Sequence, residues 1–489
     1  MSGLGGSPNV ALVVMDTTRA LDTVPADEQL TPTLATLASR GMEFTNAFAS
    51  APWTLPSHAS LFTGTYSSKH GAHGGHTYLD DALETLAETF AGAGYETLGI
   101  SNNTWITEEF GFERGFETLH KNWQFLQSTT DLGAIIREKE TTGKLATFLD
   151  RAFDGNPFLN VANALASSLR DRHDDGAGRT NRYIERWLRT RTDDRPFFCF
   201  ANYLEPHLRY RPPREHVEER LPAGYTYEEA VRIPQDPRAY DVGELSLSST
   251  ELEVLRALYR GELAYLDERI GELLELFDEA GVREDTIVVV VGDHGENVGE
   301  HGFLGHQYNV YDTLLHVPML LHGGPFVGGE RVDSLVQLVD VAPTLLDAAG
   351  IGAPAVRAQY QGHSFHPDAS TTPREFVVAE YVAPQPSIES LVDRFGDVPA
   401  ELWTYDRSLR TIRTAETKYI RGSDGSEELY DVAVDPLETT DLRSRRRSEA
   451  RALGDRLDEW VGSFDHTDVT GAVEMSDSTR GRLEDLGYL

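Results

Sequence analysis

Five short apolar runs limit what this chain can fold into. Asn9–Met15 (NVALVVM), Tyr95–Ile100, Phe197–Tyr203, Ile287–Val291 and Pro318–Leu321 are each rich in aliphatic and aromatic residues. Such runs read as strands buried on both faces. Helical patterns lie between them. Thr31–Arg40 opens with Thr and Pro, a favourable helix entry. Leu252–Ala280 repeats Leu and Ile at three- and four-residue spacing. Strands alternating with helices predict an α/β fold, with a central, mostly parallel sheet flanked by helices. No internal repeat of fixed period is visible.

The pattern changes after residue 365. Phe376–Val382, Leu409–Thr414 and Tyr419–Arg421 read as strands with short turns, Gly422–Ser426 (GSDGS) as a turn, and Glu449–Gly462 as a helix. The expected division is a main domain over 1–365 and a C-terminal α+β subdomain over 366–489, containing a small antiparallel sheet. The basic run Arg443–Arg447 (RSRRR) reads as a solvated helix start, with an anion patch as the alternative.

The 489 residues include 44 Lys+Arg against 79 Asp+Glu, a net charge of −35. That balance argues against nucleic acid and anionic membrane as partners, which need a basic face. Only Lys69, Lys121, Lys139, Lys144 and Lys418 are lysines. An acidic, lysine-poor surface points to a protein kept soluble in high salt, as in a halophile, with codon bias as the alternative. Disorder is excluded by a 40% apolar content arranged in regular patterns. The single cysteine, Cys199, permits no intrachain disulfide and reads as an inert core residue. No signal peptide and no apolar stretch of membrane-spanning length is visible, so the expected location is the cytoplasm.

Reactive residues of open α/β sheets gather at the carboxyl ends of strands. Asp16 ends the first run, Asp293 and His294 follow the Val run, and Glu205 and His207 follow the run holding Cys199. Carboxylates and an imidazole converging from different strands suit a divalent cation. Taken alone, Asp16 reads equally as a helix cap or a loop acid. Ser50–Gly64 (SAPWTLPSHASLFTG) places Thr54 at a loop-to-helix junction, where free N–H groups favour anions. A cation beside Thr54 would lower its hydroxyl pKa and make it a nucleophile. In isolation the segment reads as a Ser/Thr-capped helix.

An ordered set of segments carries a resemblance. They are Pro8–Arg19 (PNVALVVMDTTR), the stretch around Thr54, Gly64-Thr65-Tyr66 with His70-Gly71, Gly115-Phe116-Glu117, and Asn202–Pro213 (NYLEPHLRYRPP). Glu262–Gly271, Gly292–His306 (GDHGENVGEHGFLGH), Asp340–Leu346 and Glu428–Leu442 complete it. Over almost its whole length the chain resembles the sulfatase family of the alkaline phosphatase superfamily. The resemblance implies one divalent metal ion (calcium, manganese, magnesium or zinc) held by Asp16, Asp293, His294 and the Thr54 oxygen. It places Thr54 at the nucleophile position and makes His207 or His306 the general acid. His58, His70, Asn102 and Asn103 are the implied substrate contacts.

Three positions depart from the family pattern. Thr54 stands where the motif has Cys or Ser, so formylglycine is not expected. Thr17 replaces the second Asp of the usual pair, and His58 replaces the motif Arg. A histidine there carries charge only in part near neutral pH. A sulfated Thr lacks the exit that a formylglycine hydrate provides, which favours phosphorus substrates. The implied activity is hydrolysis of a phosphate (di)ester or a sulfate ester through a metal-activated Thr. The alternatives are a sulfatase proper, a phosphoryl-group transferase, or an inactive binding homologue. The implied partner is a small anionic ester or a sulfated or phosphorylated glycan or lipid; the oligomeric state is left open.

Other residues have two readings each. His70, His73 and His76 form either a second metal cluster or a glycine-rich loop at the site mouth. Glu296 is expected to orient a ligand. His301 lines the site or a surface loop. Asn102 and Asn103 contact substrate or form a turn. Arg19 neutralises an acidic ligand or pairs at the surface. Asp435-Pro436 is a turn without chemistry. Specificity is expected in Leu119–Arg195 and Glu215–Ser249, where the likeness fades.

Overall fold

The computed structural model describes residues 7–123, 174–370, 372–467, 475 and 477–485. Lys139, Lys144 and the 124–173 part of the Leu119–Arg195 segment lie outside the described residues. The main sheet contains β1 (Asn9–Met15), β2 (Met42–Phe48), β3 (Glu96–Ser101), β4 (Thr118–Lys121), β5 (Phe197–Tyr203) and β6 (Thr286–Gly292). A two-stranded ribbon, β7 (Asn297–Val298) with β8 (Leu304–Gly305), follows; β9 (His316–His322) and β10 (Glu330–Gln337) return to the main sheet. The order is β10-β2-β9-β6-β1-β5-β3-β4. Only β9 runs against its neighbours, so the sheet is mostly parallel, as the alternating pattern predicts.

The first strand in sequence thus lies at the centre. Its alternate residues feed two cores, because successive strand side chains point to opposite faces. Val10, Leu12 and Val14 join one cluster, with Leu55, Ala59 and Phe62 of the Thr54–Thr63 helix. Ala11, Val13 and Met15 join the other, with Leu266, Ile270, Leu273 and Phe277 of the Ser249–Glu279 helix. Each fully buried aliphatic side chain contributes about 1.5–3 kcal/mol, so this double-sided burial outweighs helix propensity in fixing the fold.

Register then sets the site. Met15 pairs with Tyr203 on one side and with Gly292 on the other. The residues that follow, Asp16 and Asp293, therefore leave the sheet at one level from adjacent strands.

The second sheet is antiparallel, β11 (Val377–Tyr381), β12 (Leu409–Arg413), β13 (Thr417–Gly422) and β14 (Glu427–Asp431), in that order. Val378, Ile412, Tyr419 and Leu429 pack with Leu453 and Leu457 of the Arg447–Val461 helix. Val377, Ala379, Tyr381 and Ile420 enter the main core instead. The helix starts at Arg447, two residues before the expected Glu449, so the basic run leads into it as a helix start. Arg443 pairs with Glu427 and Arg446 with Asp431, which spends half of the run's arginines on β14.

Lys418 on β13 ties the two sheets together. Its buried Nζ lies 2.7 Å from Asp312 Oδ1 and 2.8 Å from Glu438 Oε1. Arg413 Nε adds a contact of 2.9 Å to the second Asp312 oxygen.

Candidate active site

Asp16, Asp293 and His294 offer ligand atoms within 4.8 Å of one another, and all three are buried. Asp293 Oδ1 is held by the backbone N–H groups of Thr17 (3.1 Å) and His294 (2.8 Å). Asp16 Oδ2 accepts from the Asn103 amide at 2.7 Å. The other two carboxylate oxygens, Asp16 Oδ1 and Asp293 Oδ2, are buried and accept no hydrogen bond. Orphaned buried acceptors of this kind are costly unless a ligand satisfies them.

The imidazole is poised in the same way. His294 Nδ1 lies 2.9 Å from the Gly295 carbonyl, which can only accept, so Nδ1 carries the proton and Nε2 the lone pair. That Nε2 stands 3.4 Å from Asp293 Oδ2 and 3.9 Å from Asp16 Oδ1. Burial pushes the Asp16 carboxyl up to about 7, with the Asn103 and Asn202 amides pulling the other way. Burial and then the neighbouring Asp16 push Asp293 well above its ordinary value, and burial drives His294 well below its own. A bound cation would let both carboxylates ionise while sparing the imidazole its proton. The residues present fit a divalent metal ion.

Thr54 opens a ten-residue helix that is buried along its whole length. Its Oγ1 lies 3.3 Å from His294 Nε2 and 3.3 Å from the Asn103 amide nitrogen. Asn103 thus bridges the hydroxyl and Asp16, and it also forms a turn, its Oδ1 accepting from Trp105 N and its carbonyl from Ile106 N. Ser57 Oγ donates to the Asp293 carbonyl at 2.6 Å and fastens this helix to the end of β6. His58 packs one turn on, with Nδ1 donating to the Thr54 carbonyl at 2.9 Å and Nε2 buried without a partner. Burial lowers its pKa to about 4, so it is a neutral imidazole beside Asp293.

Two more imidazoles extend the cluster. The His306 ring lies 4.7 Å from that of His294 and 5.3 Å from that of His207. His306 Nδ1 is 2.9 Å from Glu296 Oε1, giving Glu296 the orienting position expected of it. Burial brings His306 down to about 3 and His207 to about 4, and lifts Glu296 to about 7.

The remaining candidates lie apart from this cluster. Asn102 spends its amide on Thr180 Oγ1 (2.9 Å) and the Asn202 carbonyl (2.5 Å), and accepts from Asn122. His70 bonds Ser60 Oγ at 3.1 Å and accepts from Ala72 N, which pins the loop after the Thr54–Thr63 helix. His73 and His76 face each other across a backbone bridge, and His76 pairs with Asp80. Among the described residues the three do not form a ligand cluster, so the loop reading holds and the second-metal reading is corrected. Glu205 leaves the end of β5 but accepts from Ala177 N at 3.2 Å and does not join the cation ligands. His301 stacks on Tyr311 at 3.6 Å.

Arg19 does not pair at the surface; its Nη1 donates to the Glu296 carbonyl at 3.2 Å. It is buried, paired with Asp22 at 2.5 Å and Glu300 at 3.2 Å, and its N–H reaches the Tyr259 hydroxyl. Thr17, where the family pattern has a second carboxylate, adopts a φ of 54°. A β-branched residue in that region stores strain of about 1–3 kcal/mol, a feature that collects at functional sites. Sequence reasoning passed over Asn202 and Ser57, whose roles depend on where β5 and β6 end.

A buried acid pair and a hydroxyl thus converge at the carboxyl edge of a mostly parallel sheet. Residues 8–351 match the family described as Sulfatase, and the chain belongs to that family, an ester-bond hydrolase. It is similar to a choline-sulfatase of Rhizobium meliloti, 26% identical over 458 residues, covering 90% of this chain and 83% of that one. An arylsulfatase of Clostridium perfringens is also 26% identical, over 89% of this chain and 90% of its own length. Among solved structures, a phosphonate monoester hydrolase of Agrobacterium radiobacter superposes with a TM-score of 0.65 at 20% identity, covering 93% of this chain and 95% of that chain. A 2-O GAG sulfatase superposes with 0.64 at 21% identity, covering 95% of each chain. Among the described residues no helix is long and apolar enough to cross a membrane.

The fit of the acid pair to a cation has a direct check. Adding a divalent cation at a hundredfold excess over Kd is expected to stabilise the protein by about 2.7 kcal/mol. Calorimetry should show a rise in Tm for the native chain and none for Asp293→Ala. An equal rise in both would place the cation elsewhere.

Proposed function

We propose that this chain hydrolyses an anionic ester of phosphorus, a phosphodiester or phosphonate monoester, with Thr54 as a covalent nucleophile. The observation that carries the reading is the Thr54 hydroxyl 3.3 Å from the His294 Nε2 lone pair, beside the orphaned oxygens of Asp16 and Asp293. A divalent cation held there by Asp16, Asp293, His294 and Thr54 would supply positive charge, lowering the hydroxyl pKa and drawing charge off the ester oxygens. Three oxygen donors and one nitrogen suit calcium, magnesium or manganese ahead of zinc.

Thr54 is held rigidly, since its helix is buried on every side. Its oxygen attacks phosphorus while its proton passes to solvent, and the ester's alcohol oxygen departs towards an imidazole that the bound anion has made protonated. His207 or His306 protonates that leaving oxygen. Both imidazoles are kept neutral by burial, and an arriving anion raises their pKa towards the working range. Water then attacks phosphorus and gives a proton to the same imidazole, and the departing Thr54 oxygen regains from solvent the proton it gave up.

A second reading, sulfate ester hydrolysis, is supported by the names of the curated relatives, a choline-sulfatase and arylsulfatases. It asks for attack at sulfur in the second step, since a sulfated threonine cannot collapse to an aldehyde.

Matched p-nitrophenyl sulfate, bis(p-nitrophenyl) phosphate and p-nitrophenyl phenylphosphonate decide between the readings. The expected result is faster turnover of a phosphorus ester than of the sulfate, lost on chelation and restored by added cation. Turnover of the sulfate alone would overturn the phosphorus reading. Failure of all three, across cations and salt, would leave a binding protein.

A further inference from the structure

Arg238 stands out among the buried cations. It lies in the short helix Pro237–Asp241, within the segment where the likeness to the family fades. The residue is 3% exposed, yet its Nε and Nη1 make no hydrogen bond. The carboxylate paired with it is distant: Asp241 Oδ2 is 3.8 Å from Nη1 and already accepts from Gln307 at 2.8 Å, while Glu296 feels the charge but is bonded to His306. Burial also pushes the Asp241 carboxyl up to about 7, so it is a poor counter-ion. The buried arginines Arg19 and Arg413, by contrast, each have a close carboxylate partner. A buried guanidinium without acceptors is costly, and the cost is removed when an oxyanion arrives.

Its surroundings fix where that anion would lie. Pro237 packs against Gly305, whose hypothetical Cβ would meet the Pro237 Cβ at 3.3 Å. Gln307, which bonds Asp241, directly follows His306. After burial, Arg238 lowers the pKa of His306, and it adds a small push in the same direction on His207, behind burial and His306. The Pro237–Asp241 helix therefore packs on both residues that flank His306, and its guanidinium borders the His306–His207 end of the site. On the same loop Tyr308 stacks on Tyr405 at 5.7 Å, and Phe303 meets Tyr405 at 5.3 Å. These rings form an apolar wall beside the charge.

We propose that Arg238 is a specificity residue that binds a second oxyanion, a carboxylate or sulfonate-like group, carried on the leaving-group part of the substrate. The preferred substrate is then the ester of a ring alcohol bearing its own acidic group. This inference rests on the proposed reaction for the direction in which the leaving group lies. It also offsets a loss at the other end of the site, where His58 stands in place of a permanent cation.

Two measurements test it, one independent of turnover. The first compares kcat/KM for a 4-carboxyphenyl ester and the matching phenyl ester of whichever acid the native enzyme cleaves. The native enzyme is expected to prefer the carboxylated ester at least tenfold, and Arg238→Gln to bring that ratio to about one. The second measures binding of 4-hydroxybenzoate and of phenol by calorimetry. The hydroxybenzoate Kd should weaken at least tenfold in Arg238→Gln, and less in Arg238→Lys, which keeps charge but loses the fork. Without ligand, Arg238→Gln should keep or raise Tm, because an unsatisfied buried charge is removed. Equal hydroxybenzoate binding by native and Arg238→Gln protein would overturn the proposal. So would a fall in Tm of several degrees, which marks a structural ion pair with Asp241. If the native enzyme cleaves no ester, the proposed reaction fails, while the binding comparison still decides the role of Arg238.

Discussion

Replacing Thr54 by Val is expected to cut kcat at least about a thousandfold, or about 4 kcal/mol in the barrier. Valine preserves the shape of the side chain in its fully buried helix and removes only the oxygen that faces His294 and Asn103. Tm should therefore stay near that of the native protein, separating chemistry from folding. Thr54→Ser keeps the oxygen and should retain most of the activity. Rapid quenching of the native enzyme should reveal a covalent adduct on the peptide containing Thr54. Near-native turnover by Thr54→Val would move the nucleophile elsewhere.

The second large effect concerns stability. Lys418→Met should destabilise the fold by about 3–5 kcal/mol, the penalty for leaving buried carboxylates without their partner. Lys418 lies between Asp312 and Glu438, all three buried, and holds β13 against the short helix that precedes β9. Charge on Lys418 and Arg413 holds the Asp312 carboxyl below its ordinary range against the pull of burial. The double substitution Lys418→Met with Glu438→Gln should recover part of the loss, since one orphaned charge goes with it. Denaturation midpoints in urea would measure both. A loss below about 1 kcal/mol for Lys418→Met would mean that the ion pairs add little beyond packing.

The centre of the fold was legible because its strands are buried on both faces. β1, β5 and β6 are continuous apolar strings, and such strings name strands without needing a partner. β2 was not legible, although it is as deeply placed. Its sequence, MEFTNAF, carries Glu43, Thr45 and Asn46, and these polar side chains are satisfied by Ala26 N and by Asp333 on β10. β10 itself mixes exposed and buried positions, as an edge strand does. Pairing across the sheet, which supplies the partners, leaves no trace in a local window.

The same division runs through the site. Asp16, Asp293 and His294 announce themselves by following apolar strands, and the structure brings them together. Thr54 was singled out by its place in an ordered family motif, since a threonine at a helix start is otherwise commonplace. Arg19 was misplaced because its partners Glu300 and Tyr259 are far along the chain. Arg238 carried no signal at all: its segment has no periodicity, and its meaning depends on what does not touch it.

The strand order has a consequence for the life of the chain on the ribosome. β1 is made first but fits between β5 and β6, and the Asp293 carboxylate receives the Thr17 N–H across 276 positions. Asp16 is made early, but Asp293 is absent from any nascent chain that ends before the end of β6, so the acid pair is incomplete until then. An early product cannot complete that pair, and the apolar strand β1 waits without its β6 neighbour until the second half emerges. Synthesis is then the step at which this acidic protein is most exposed to wrong pairings, and a cation held by that pair could arrive only after it.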